Sequence, residues 1–157
     1  MMDPAQRLRF PRLSMTVSGF GVLATVVLLA GCGAPVAVTP PEPAFAACDD
    51  LAQELPKRVE GQDRRTTTPT SSATAAWGDP PMVLRCGVGT PVAYTPTASL
   101  VEVGGVSWFA EPLSAGVRFT TIGRVVNVEF TVPDAYSPEA YPLIDLTGAI
   151  TKTVPTV

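Results

Sequence analysis

Val117-Arg118-Phe119-Thr120-Thr121-Ile122-Gly123-Arg124-Val125-Val126-Asn127-Val128-Glu129-Phe130-Thr131-Val132 is the stretch that decides the fold class. Val126, Val128, Phe130 and Val132 share one side of an extended chain, while Asn127, Glu129 and Thr131 share the other. A period of two means a strand with one buried and one wet face, which is the habit of antiparallel sheets. Gly123-Arg124 separates this run from Val117–Ile122 and reads as a tight hairpin turn. Pro133 ends the second strand.

Working outward, Leu100–Val103 and Val106–Phe109 flank Gly104-Gly105 and read as a second hairpin. Met82–Cys86 is a short apolar run that Gly87 closes. Toward the C-terminus, Ser137-Pro138-Glu139 has the form of a helix start, with a capping residue before proline. Pro142 is a second boundary that would delay regular helix until after Tyr141. Leu143, Leu146 and Ile150 then form an apolar helical stripe. Upstream, Leu51 and Leu55 lie four apart behind Asp49 and Asp50, whose carboxylates suit a helix N-terminus, and Pro56 stops that pattern. The expectation is one small α+β domain over residues 48–157. It has an antiparallel sheet of about four to five strands, with N- and C-terminal helices packed on one face.

Two segments carry no such period. Val59 to Ala76 is polar, with a Thr/Ser-rich centre from Thr66 to Thr74, and is long for a featureless connection. Such a loop is a place to look for mobility or function. Residues 32–47 carry Pro35, Pro40, Pro41 and Pro43 and read as a semi-extended tether that lifts the domain clear of its anchor.

That anchor is read from Leu29-Ala30-Gly31-Cys32. Small residues before a cysteine at the end of an apolar run have the form of a bacterial lipoprotein cleavage site. Residues 1–31 complete a signal peptide: Arg7, Arg9 and Arg12 precede an uncharged stretch from Met15 to Ala30. The apolar run falls short of the roughly 20 residues that a membrane span needs. Cys32 would carry the lipid, and the expected location is the extracytoplasmic face of the cell membrane.

Lipidation also settles the cysteine arithmetic. Of three cysteines, Cys48 and Cys86 are left to pair, and an oxidising compartment lets a disulfide persist. The whole chain has a net charge of −3 from 11 basic and 14 acidic residues. Residues 1–31 hold three arginines and one aspartate, so the remainder carries 8 basic and 13 acidic residues, a net of −5. No nucleic-acid partner is expected of such a domain.

The chain has no histidine, which removes Ser-His and Cys-His nucleophile pairs and the usual zinc sites. Neither phosphate-cradling glycine motif is present. No cofactor and no metal are expected, and the reading leans away from an enzyme. A hydrolase or transferase using serine with Lys57 or Lys152, or paired carboxylates, is the alternative.

The densest group of unusual residues is Gly61-Gln62-Asp63-Arg64-Arg65, then Trp77-Gly78-Asp79-Pro80-Pro81, then Leu84-Arg85-Cys86. Arginine forks suit carboxylates and phosphates, and tryptophan offers a flat apolar surface. Arg64, Arg65, Trp77, Asp79 and Arg85 are therefore the candidate ligand-binding residues, for an anionic, partly apolar or sugar-bearing ligand. The commoner fate of such residues is internal: arginines paired with Glu60, Asp63 or Asp79, and Trp77 in the core. For Trp108 and Phe109, core packing is the expectation.

At these positions the sequence resembles an actinobacterial family of exported proteins and lipoproteins, domain of unknown function 3515. The resemblance is carried by Leu55-Pro56, Gly61–Arg65, Ala76–Pro81, Leu84–Val88, Gly105-Val106, Trp108-Phe109, Val128-Glu129 and Val132-Pro133. It covers about Cys48 to Val154. It implies an envelope location and brings no activity. The leading expectation is a lipid-anchored binding or assembly module for an envelope protein or an anionic cell-wall fragment. A purely structural envelope component is a further alternative.

Overall fold

Alternating apolar residues build the main sheet here, and the two helices cover its apolar face. The computed structural model describes residues 33–157; the signal-peptide reading and Cys32 lie outside the described residues. The elements in order are β1 (Val36–Ala37), α1 (Ala46–Glu54), β2 (Arg58–Val59), β3 (Gln62–Arg65), β4 (Thr67–Thr68) and β5 (Thr74–Trp77). They continue with β6 (Met82–Val88), β7 (Val101–Val103), β8 (Val106–Leu113), β9 (Gly116–Thr121), β10 (Asn127–Pro133) and α2 (Leu143–Thr153). A single 3-10 turn, Asp134–Tyr136, follows β10.

Eight strands form an antiparallel sheet in the order β2-β3-β5-β6-β10-β9-β8-β7. Trp77, Met82, Leu84, Val106, Trp108, Phe119, Val128, Phe130 and Val132 make its inner face. Leu51 and Leu55 of α1 and Leu143, Leu146 and Ile150 of α2 join the same core. The two helices also pack on each other. The architecture is α+β, with more strands than the four to five expected.

The additional strands come from the polar stretch. Val59 to Ala76 is not a long loop but holds β3, β4 and part of β5, and the hairpin from β2 to β3 turns at Glu60-Gly61. Both turn residues have positive φ, 47° and 71°, as the favoured two-residue hairpin turn requires. Val59 is the apolar anchor of this hairpin, fully buried, while Gln62–Arg65 shows no apolar alternation. An edge strand covers little core, so composition alone does not mark it.

The turn at Gly123-Arg124 differs from expectation. A two-residue turn there would pair Ile122 with Val125. Instead Thr120 pairs with Glu129, which moves the register by two and opens the turn over residues 122–126. A shift of two keeps each side chain on its face, so Val126, Val128, Phe130 and Val132 are still buried. The Thr121 hydroxyl accepts a hydrogen bond from the Val128 N–H at 2.8 Å, closing the strand end. A further hairpin joins β8 to β9, with Leu113 opposite Gly116. Gly116 has φ of 143°, and any Cβ there would collide with the Val132 carbonyl of β10.

Trp108 is buried as expected, whereas Phe109 points to the outer face and meets Tyr94 edge-on at 5.5 Å. Neighbours on a strand face opposite ways, so both could not enter one core. In α2 the second boundary holds: helix begins after Pro142.

Cys48 on α1 and Cys86 on β6 form a disulfide, at a sequence separation of 38. The segment read as a free tether is largely docked. Val36 and Val38 donate to the carbonyls of Thr66 and Thr68 at 2.9 and 3.0 Å, which makes β1 a parallel partner of β4. Val38 is buried, and α1 begins at Ala46, two residues ahead of Cys48. β1 is only two residues long, Val36–Ala37, and the prolines on either side conceal it.

Candidate functional site: the arginines of the β3 edge

Strand β3 ends in two arginines, and the strand period sends them to opposite faces. Arg64 lies opposite Trp77 on β5, and Arg65 lies opposite Ala76. Trp77 is fully buried. Its indole Nε1 donates to the Pro56 carbonyl at 3.1 Å, and its ring meets Phe130 edge-on at 6.1 Å. Trp77 is therefore a core residue and not a pocket wall.

The Arg64 guanidinium lies 5.6 Å from the centre of that indole, in cation–π range. Removal from water pulls its pKa below the ordinary arginine value. An arginine nevertheless stays charged. Among the described residues Arg64 makes no ion pair and no side-chain hydrogen bond. Arg64 is exposed and is one of the residues that line a cleft at this edge.

The other arginines are spoken for. Arg65 donates to Gly78 O at 3.0 Å and to Ala34 O at 2.6 Å, and stands 3.6 Å from Asp79. The Asp79 side chain is 88% exposed, so this pair holds little energy against water. On the outer face Arg85 donates to Glu129 at 3.2 Å and to Thr39 O at 3.2 Å. Glu129 is shared with Arg118, 3.6 Å away. The five candidates thus do not converge. Arg64 and Arg65 share a site, Asp79 lies beside Arg65, and Trp77 and Arg85 belong to the core and the outer face.

A cleft of about 350 Å³ straddles the β3–β5 edge, lined by Arg64, Arg65, Thr66, Thr67, Thr70, Ser71, Thr74 and Ala75. The Thr67 and Thr74 hydroxyls hydrogen-bond each other at 3.2 Å, and Thr74 is buried. Arginine and hydroxyl side chains among its lining residues suit a phosphate, a carboxylate or a sugar. The hydroxyls belong to the Thr66–Thr74 stretch, which the sequence marks as a place to look for function without singling out a residue.

A second cleft of about 440 Å³ lies by the 122–126 turn, between Phe45, Val88, Tyr94, Asn127 and Val157. Arg124 borders it, buried. It donates to Val154 O at 2.5 Å and to Gly105 O at 3.0 Å. Burial lowers its pKa and the charge of Glu102 partly opposes that. These bonds tie the C-terminal end of α2 to the β7–β8 turn, a structural use of a residue that the sequence placed in a turn. Lys152 is held by Glu54 at 2.7 Å, in a small cleft whose lining includes no serine.

A family model described as "Protein of unknown function (DUF3515)" matches residues 16–157. The chain belongs to this family. The match spans every element of the DUF3515 domain seen here, from β1 through α2. Neither a curated relative nor a solved structure matches the chain.

Proposed function

We propose that this DUF3515 protein is a lipoprotein, acylated at Cys32 and held on the extracytoplasmic face of the membrane. There it works as a binding module rather than a catalyst. Its ligand carries an anionic group, presented by a cell-wall fragment, an envelope protein or the membrane, and the cleft at Arg64 and Arg65 receives it. The observation that carries this reading is the Arg64 guanidinium, partly desolvated over Trp77 and without a carboxylate partner among the described residues. Arg64 is exposed, so an anion from outside the domain can supply the counter-charge that no described residue provides. The Cys48–Cys86 disulfide supports an oxidising compartment, since such bonds persist there. Two or more acyl chains would make the attachment durable.

Thermal melting with muropeptides, wall-derived anionic polymers and short-chain phosphatidylglycerol tests the binding claim. A ligand at a hundred times its Kd stabilises by about 2.7 kcal/mol, a shift of several degrees. The shift should vanish in Arg64→Ala. A ligand that stabilises Arg64→Ala as much as the parent places the site elsewhere.

A further inference from the structure

The connection from β6 to β7, residues 89–100, is long for a join between strands, and half of its twelve residues are threonine, serine or proline. It holds two Thr-Pro pairs, Thr90-Pro91 and Thr95-Pro96. Two successive turns fix its path. The Tyr94 N–H donates to the Pro91 carbonyl at 3.0 Å, and the Ala98 N–H donates to the Thr95 carbonyl at 2.9 Å. Pro96 takes the second position of the latter turn, where its ring presets φ. The Tyr94 ring seats the loop edge-on against Phe109 of β8.

The second turn presents hydroxyls that the fold does not use. Thr95 and Thr97 are exposed, and among the described residues their hydroxyls meet only each other, at 3.4 Å. Thr90 differs, since Asn127 Nδ2 donates to its hydroxyl at 3.4 Å. The other Thr/Ser/Pro-rich stretch, residues 66–72, is partly occupied: Thr67 bonds Thr74, Ser72 bonds Asp49, and β4 pairs with β1. No basic residue occurs from Cys86 to Val117. A phosphate added to the loop would find no cation on its own segment, whereas a neutral sugar needs none.

We propose that Thr95 and Thr97 are O-glycosylation acceptors. Serine and threonine interleaved with proline are the composition that such modification uses. The donor is a hexose activated on a lipid phosphate. The threonine Oγ1 attacks the anomeric carbon, and the bond from that carbon to the phosphate oxygen breaks. The phosphate leaves with the electron pair, and the hydroxyl proton passes to a base of the transferase. The proposal rests on export of the chain, which brings the loop to such donors, and is independent of the Arg64 cleft.

Peptide mass spectrometry on the protein purified from the envelope of its producing cell tests this. Trypsin cuts after Arg85 and Arg118, so after reduction one peptide, residues 86–118, carries the whole loop. That peptide should bear hexose increments, which electron-transfer fragmentation places on Thr95 and Thr97. Thr95→Ala with Thr97→Ala should remove them while the domain keeps its folded tryptophan emission. An unmodified 86–118 peptide from a chain with acylated Cys32 overturns the glycosylation and leaves export standing. A chain found only in the cytoplasm, with residues 1–31 intact, removes export and glycosylation together. Phosphate on Thr95 or Thr97, or hexose confined to other residues, overturns the assignment.

Discussion

Replacing both cysteines, Cys48→Ala with Cys86→Ala, perturbs the join between α1 and the sheet. The bond closes a loop at a separation of 38, and its loop-closure entropy amounts to about 4 kcal/mol at 25 °C. Both cysteines are buried in the core, so their sulfurs are packing atoms as well as a cross-link. Losing them adds a smaller cavity cost of about 1 kcal/mol. Against a typical domain stability of about 5–15 kcal/mol, a loss near 5 kcal/mol brings the domain close to its unfolding threshold at 37 °C. The assay is urea unfolding followed by tryptophan fluorescence, since Trp77 and Trp108 both lie in the core. The midpoint should fall steeply. The slope should rise, because an uncrosslinked unfolded chain exposes more surface. A loss below 1 kcal/mol with an unchanged slope would refute the reasoning, because α1 would then be held by Leu51 and Leu55 alone.

Arg64→Ala should change stability by less than about 1 kcal/mol, since it loses only an exposed cation–π contact; a larger loss in urea unfolding would make Arg64 a structural residue. Trp77→Phe should cost about 2–4 kcal/mol by calorimetry, from the cavity it leaves and from the unpaired Pro56 carbonyl. Arg124→Met strands the carbonyls of Val154 and Gly105, so a loss of about 2–4 kcal/mol is expected, with faster amide exchange at the end of α2. Gly116→Ala drives a methyl into the Val132 carbonyl at a φ that L-residues avoid, and poor soluble yield or a drop of about 2–4 kcal/mol should follow.

Legibility in the sequence followed burial. The Val126–Val132 alternation and the Leu143, Leu146, Ile150 stripe face a core, so their periods survive in the composition and gave the antiparallel sheet and α2 directly. The β2–β3 hairpin is not legible in the sequence because Gln62–Arg65 sits near an edge, where side chains need not alternate. Its signal was Glu60-Gly61, a turn pair between strands that did not look like strands. The register at residues 122–126 was hidden because Gly123-Arg124 has the composition of a tight turn. Arg124 is instead used for its side chain, bonded to carbonyls far away in sequence.

The candidate site was legible in place but not in arrangement. Adjacent arginines on a strand must face opposite ways, so Arg64 and Arg65 meet only where the cleft wraps the strand edge. Arg85 lies two strands away and found Glu129, a residue whose cross-strand position no local pattern reveals. The docked segment from Ala34 to Thr39 reads as a tether in the sequence, because proline and small residues suit a linker equally well. Which of the two it becomes depends on the carbonyls of Thr66 and Thr68, some thirty residues on.

The most direct test is the Arg64 side chain itself, observed by its Nε–Hε resonance. The titrant is dihexanoyl phosphatidylglycerol, kept below its micelle concentration. A saturable shift at Arg64, with little change at Arg58 and Arg124, is the result predicted for an unpartnered guanidinium that receives a phosphate. A flat Arg64 resonance through the titration would contradict it.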